Sequence, residues 1–308
     1  MENWIIYGII ASLAWGFYIF LMKIATSEEY YKIPQNISFF ILSLGILSVA
    51  LIVFFGIESY NSVTSFVGGS IAFASGLVWG IGMAYAVKSL SDPFTPISKL
   101  TPLYNTNTLV ATIVGIIFLK EVPENRLIVI IGALLVVFGG FLVVKQTNVS
   151  EFSKKIKLSE NFQLDNWIIY GLIASLTWGI YALLIKLAVS PEYYNNNPYM
   201  SFLLMSFGIL FVSLISIFKK STRIQSYNIK LILPFVSGMI WAIGMLAIIF
   251  ALYNLQADIA KIVPLYNTNT IFAAFLGIIL LHEGQTQRLK IIIGAILIIT
   301  GGSIVSIF

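Results

Sequence analysis

The sequence predicts an all-α integral membrane protein of ten transmembrane helices arranged as a 5+5 inverted-topology repeat. Three observations carry that prediction. The 308 residues are 58% hydrophobic and 10% charged, with a mean hydropathy of +0.93, which is too apolar for the surface of a soluble fold of this size. Apolar runs of roughly 20 residues, the length that crosses a bilayer as a helix, recur in place of the alternating pattern of a membrane barrel. The second half of the chain also repeats the first.

In order, the predicted helices are approximately Trp4–Ala25, Ser38–Ile57, Phe66–Leu90, Ile97–Leu119 and Arg126–Val144, then Trp167–Val189, Tyr199–Phe218, Leu231–Tyr253, Asp258–Leu281 and Arg288–Phe308. The first run is already of spanning length, so it reads as a resident helix and not as a cleaved leader. Residues 1–144 and 166–308 form the two five-helix repeats. Between them, residues 145–165 carry Lys145, Lys154, Lys155, Lys157, Glu151 and Glu160 as a basic linker.

The repeat is visible in Asn3-Trp4-Ile5-Ile6-Tyr7-Gly8, which returns as Asn166-Trp167-Ile168-Ile169-Tyr170-Gly171, and in Lys99, which returns as Lys261. Five crossings is an odd number, so the second copy enters the membrane from the opposite side, giving a pseudo-two-fold axis in the membrane plane. Lysines and arginines gather on one side, among them Lys23, Lys88, Lys219, Lys220, Arg223 and the linker lysines, against Lys120, Arg126 and Lys186 on the other. The positive-inside rule makes the linker cytoplasmic and both termini external, in a multi-pass protein of the cell membrane.

Composition also excludes several chemistries. The chain has no cysteine, so it holds no disulfide, thiolate metal site or cysteine nucleophile. A net charge of +5 on a membrane chain reads as topology and not as nucleic-acid binding. No phosphate-binding loop is present, and no cofactor is indicated. His282 is the single histidine, with no partner suited to a metal site or a proton relay, and reads as a loop residue.

On the first helix Ser12, Gly16, Ile19 and Lys23 share a face, with Trp15 beside it; Ser175, Gly179, Ala182, Lys186 and Trp178 repeat the pattern. Both tryptophans fall about ten residues into their helices, near mid-bilayer by helix rise, where an indole either floors a cavity or packs. The third and eighth helices carry Gly76, Trp79, Gly80 and Gly82 against Gly238, Trp241 and Gly244, a pattern that favours close helix approach over cavity lining.

The fourth and ninth helices share one heptapeptide, Pro102-Leu103-Tyr104-Asn105-Thr106-Asn107-Thr108 and Pro264-Leu265-Tyr266-Asn267-Thr268-Asn269-Thr270, each three residues after a lysine. Polar groups at membrane depth face a bundle interior or a watered cavity. Helical spacing places Thr101, Tyr104, Asn105, Thr108 and Thr112 on one stripe, and Tyr266, Asn267 and Thr270 on its copy. These are candidate substrate-binding residues, and the plainer reading is interhelical hydrogen bonding.

Pro102 and Pro264 predict kinks that free the carbonyls near Ser98 and Ala260. Lys99 and Lys261 either meet a cargo from opposite ends of the cavity or snorkel to the headgroups. Glu121 and Glu283 close their helices before short loops and read as structural caps of the helix that follows.

Taken together, Ala14-Trp15-Gly16, Leu119-Lys120-Glu121 with Gly132-Ala133, and their echoes Leu281-His282-Glu283 and Gly294-Ala295 resemble the drug/metabolite transporter superfamily, specifically its EamA-like ten-helix members. The stretches Ser75 to Gly82, Lys88-Ser89, Ser98 to Pro102 and Leu109 to Thr112 are most similar to the glucose/ribose porter branch. The chain departs from that branch at Lys99, where an arginine is usual, and in keeping Lys261 and Pro264. The resemblance implies alternating access, with two bundles rocking about a central cavity.

The expected function is therefore secondary active or facilitative transport of a small polar metabolite, a sugar foremost. Its expected partners are a small-molecule substrate and the lipid bilayer, with the coupling ion open, in a monomer or homodimer. Competing readings are a carrier of sugar phosphates or carboxylates, a drug or amino-acid exporter, and a polytopic membrane enzyme acting on lipid-linked substrates. Alanine at Asn105 or Asn267 is expected to abolish uptake with folding nearly intact.

Overall fold

The computed structural model describes residues 3–56, 65–91, 97–122, 124–144, 166–218, 228–281 and 288–308. The linker at 145–165, His282 and Glu283 lie outside the described residues, as do the side chains of Lys99 and Pro102. The regular secondary structure of the described residues is entirely helical, without a strand.

The first half contains α1 (Trp4–Thr26), α2 (Gln35–Gly56), α3 (Phe66–Leu90), α4 (Ile97–Tyr104), α5 (Asn107–Phe118) and α6 (Arg126–Val144). The second contains α7 (Asn166–Val189), α8 (Pro198–Phe218), α9 (Ile232–Asn254), α10 (Ile259–Tyr266), α11 (Asn269–Leu280) and α12 (Arg288–Ile307). Seven helical stretches among the described residues are long and apolar enough to cross a membrane. Counting α4–α5 and α10–α11 as interrupted single segments, the helical segments number ten.

The exterior is as apolar as the core, and many small polar side chains are drawn inward. Ile52, Phe118, Phe138 and Phe275 are exposed on the outside, whereas Ser43, Asn105, Asn107, Thr108, Asn267 and Ser213 are buried. In hydrocarbon an apolar exterior costs nothing, while each polar group must find a partner within the bundle. Ser43 Oγ and Ser213 Oγ do so across α2 and α8, 2.8 Å apart.

The halves meet through reciprocal contacts. α1 packs on α9 and α3 on α7, while α2 packs on both α8 and α9. Glycines set the closeness of these crossings. A Cβ at Gly45 would overlap the Phe235 carbonyl oxygen and one at Gly238 the Leu42 oxygen; likewise Gly76 faces Met205 O and Gly208 faces Phe73 O. Backbone lies directly against backbone, as small residues permit in membrane bundles.

Gly76→Ala is therefore expected to lower stability by about 1–3 kcal/mol through overpacking. The check is a fall in the unfolding temperature of the detergent-solubilised protein. Gly56→Ala, where nothing lies within 4 Å of the added methyl, should leave that temperature unchanged.

Candidate functional site

The two heptapeptides form the centre of the molecule, and each interrupts its helix. Asn105 N still bonds Thr101 O at 3.0 Å, but Thr106 N turns to Leu103 O, Thr108 N to Asn105 O and Leu109 N to Thr106 O. The second copy does the same: Thr268 N bonds Leu265 O, Thr270 N bonds Asn267 O and Ile271 N bonds Thr268 O. The ladder drops from four-residue to three-residue spacing, and the helix axis resets there.

This corrects the predicted position of the break, which lies past each proline, at Asn105–Thr106 and Asn267–Thr268. The physical reason is competition by side chains for the backbone. Thr106 Oγ1 donates to Leu103 O at 2.8 Å and Thr268 Oγ1 to Leu265 O at 2.7 Å. Pro264 does free the Ala260 carbonyl, which accepts a long 3.5 Å contact from Thr112 Oγ1 in the other half.

The asparagines cross between the halves. Asn105 Nδ2 donates to Asn267 O at 2.8 Å, Asn269 Oδ1 and Thr270 Oγ1, and Asn267 Nδ2 donates to Asn107 Oδ1 and, at 2.7 Å, to Thr108 Oγ1. Ser12 Oγ meets Thr268 Oγ1 at 3.0 Å and Ser175 Oγ meets Thr106 Oγ1 at 2.6 Å, so α1 and α7 each brace the broken helix of the opposite copy.

Beside this clasp runs a continuous string of aromatic rings. Trp15 stacks near Trp241 at 6.1 Å and Trp79 near Trp178 at 6.0 Å, and the two pairs join at Trp79–Trp241, 4.2 Å between centroids. Tyr266 meets Trp15 edge-on at 4.5 Å, and Tyr104 meets Trp178 at 5.4 Å. Each outer indole N–H is occupied: Trp15 Nε1 donates to Trp241 O at 3.2 Å, and Trp178 Nε1 to Trp79 O at 3.3 Å. Tyr104 OH donates to Ala86 O at 3.0 Å and pairs with Ser89 Oγ.

These residues enclose a cavity with about 30 Å³ open to the centre of a water molecule, room for roughly one or two waters. Trp15, Trp178, Thr101, Tyr104, Asn105, Tyr266 and Asn267 line it, and among the described residues no charged side chain does. Thr108 and Thr270 are buried in the asparagine clasp instead. Lys261 is half-buried and borders a separate surface crevice with Asp258, Glu192 and Glu124. Its backbone lies one turn into the same helix, but its side chain leaves the bundle centre, so a direct role at this cavity is not what its geometry provides.

Further lining residues escaped the sequence reading: Tyr18, Tyr181, Asn107 and Asn269, with Trp79 and Trp241 as cavity walls beyond their part in helix approach. A signal existed, because Tyr18 and Tyr181 each follow the mid-helix tryptophan by three residues in both copies.

Glu121 was expected to cap the helix after it. It instead receives Ile259 N at 3.0 Å and Ala260 N at 2.9 Å from α10 of the other half.

An apolar exterior, ten helical segments and a buried aromatic and amide cavity between two interlocked halves define a multi-pass membrane protein of the transporter class. The chain belongs to the family described as "Sugar transport protein", whose model matches residues 6–308. It is 26% identical over 271 residues to a Listeria innocua protein named "Putative sugar uptake protein", covering 86% of this chain and 87% of that one. A Bacillus cereus protein of the same name is 25% identical over 302 residues, covering 96% of each. A solved crystal structure superposes with a TM-score of 0.65 at 11% identity, over 100% of this chain and 97% of the other, a likeness of fold alone.

Proposed function

We propose that the protein carries a neutral sugar or related polyol across the cell membrane by alternating access around the aromatic cavity. The observation that carries this reading is the cavity wall itself: four indoles, four phenols and four carboxamides, with no charged side chain among the described residues. Ring faces suit the apolar C–H faces of a pyranose, and carboxamides and phenols exchange hydrogen bonds with its hydroxyls. The family match and the names of its relatives support the same cargo.

With space for roughly one or two waters, the cavity stands as an occluded state that must widen to admit a ring. The reciprocal contacts between the halves support the inverted 5+5 repeat, because equivalent residues exchange the same bonds: Asn105 to Asn269 and Thr270 matches Asn267 to Asn107 and Thr108, and Ser12 to Thr268 matches Ser175 to Thr106. In that arrangement the linker is cytoplasmic, the termini are external, and the outward and inward states exchange the roles of the two copies.

Uptake of radiolabelled neutral hexose into proteoliposomes is expected, without competition from an excess of the corresponding sugar phosphate. Preferential uptake of the phosphate would overturn the neutral cargo in favour of an anionic one.

A further inference from the structure

The end of the molecule where α7 terminates holds a buried ion pair that the cavity does not use. Glu121, 7% exposed, lies between α5 and α6, and Lys186, 1% exposed, lies in the last turn of α7. Lys186 Nζ is 3.5 Å from Glu121 Oε1 and donates to Ala257 O at 2.8 Å. The carboxylate is also seated on α10, one oxygen on Ile259 N and the other on Ala260 N, two amides that the helix itself leaves unpaired.

The surrounding chain is shaped to hold it there. Lys120 and Val122, on either side of Glu121, have φ of 58° and 46°, left-handed values that cost a non-glycine residue energy and persist only where neighbouring structure enforces them. Gly115 leaves the space that Glu121 fills, since a Cβ there would overlap Oε2. Burial raises the Glu121 carboxyl from its ordinary value, outweighing the opposing pull of Lys186 and the α10 amides.

The position of this cluster links it to the cavity. From Ala260, α10 runs six residues to Tyr266, about 9 Å by helix rise, and so delivers Tyr266 and Asn267 to the cavity wall. On its other side lies the water-open crevice of about 380 Å³ bordered by Glu121, Asp258 and Lys261. The cluster fastens three elements, the end of α5, the end of α7 and the start of α10, across the layer between crevice and cavity.

We propose that Glu121, held by Lys186 and seated on the N-terminus of α10, is the bolt that closes the cavity toward this face, and that its withdrawal frees α10 to open it. Both are positioning residues that touch no cargo. The proposal rests on the transport reading, and the orientation given above makes this the outer mouth.

The cysteine-free chain permits a direct test. Val263 lies on α10 between the bolt and the cavity and is 1% exposed. Val263→Cys, in proteoliposomes without sugar, is treated from outside with a membrane-impermeant methanethiosulfonate. Adding Glu121→Gln should raise the labelling rate at least tenfold, and Lys186→Met should do the same through the unpaired carboxylate.

Glu121→Asp, which keeps the charge with a shorter reach, should fall between. Apparent affinity measured by cargo-induced thermal shift should change less than threefold, because the cavity wall is intact. Where one variant does not accumulate as folded protein, the other carries the test; parent-rate labelling in either folded variant overturns the bolt. Faster labelling in a protein that moves no neutral sugar would instead uphold the bolt and reject the cargo.

Discussion

Trp178→Ala and Trp15→Ala are each expected to reduce sugar uptake about thirtyfold or more. Removing one ring face from a stacked site costs roughly 2 kcal/mol of cargo contact, which converts to about that factor in apparent affinity. The same change also opens a large hole, and truncating a buried tryptophan destabilises by about 3–5 kcal/mol, so alanine alone confuses binding with folding. Trp178→Phe separates them. It keeps a six-membered ring beside Trp79 and Tyr104 and loses the smaller ring with the N–H that bonds Trp79 O, leaving a much smaller hole than alanine does. Uptake measured against initial sugar concentration should then show a raised KM with much of the maximal rate retained. Equal KM in Trp178→Phe, Trp178→Ala and the parent would remove the indole string from the binding site.

Asn105→Ala should abolish uptake and also lower the unfolding temperature. The sequence alone suggested a loss of function with folding nearly intact, but the structure gives this amide a second task. Its Nδ2 group serves three acceptors in the opposite half. Interhelical hydrogen bonds in membranes average about 0.6 kcal/mol each, and stranded buried acceptors cost about 1–3 kcal/mol, so a loss of roughly 2–3 kcal/mol follows. Asn105→Asp is the sharper variant, because it sets a carboxylate against those same acceptors. It should be less stable than Asn105→Ala in detergent melts, and the opposite order would mean that the crossed amides do not hold the halves together.

Much of the fold was legible because membrane helices announce themselves locally: each needs only a long apolar run and tolerates few charges. The repeat, the buried tyrosine and asparagine stripes and the mid-helix tryptophans were legible for a related reason, since polar or amphipathic residues at that depth need an enclosed partner. What stayed hidden depended on pairing across the chain. Pro264 is legible because its effect on its own helix is local, whereas Thr268 and the amide of Asn105, 162 positions earlier than its acceptor Asn267, fix where the ladder shifts between α10 and α11. Glu121 looked like a cap for its own neighbour because its true seat, Ile259 and Ala260, is 138 and 139 positions away. Lys261 shares a helix with Tyr266, and helical spacing alone does not tell which flank of that helix meets water.

Tyr104 and Tyr266 are equivalent residues with unequal surroundings. Tyr104 is tied to Ser89 and Ala86, but the second copy carries Ala251 where the first has Ser89, and the buried Tyr266 hydroxyl lies beside the phenol of Tyr181 instead. Two perfectly matched copies would give the inward- and outward-facing forms the same free energy. In the alternating-access cycle proposed above, this serine-to-alanine difference is one of the inequalities between the copies that separate the two forms in energy.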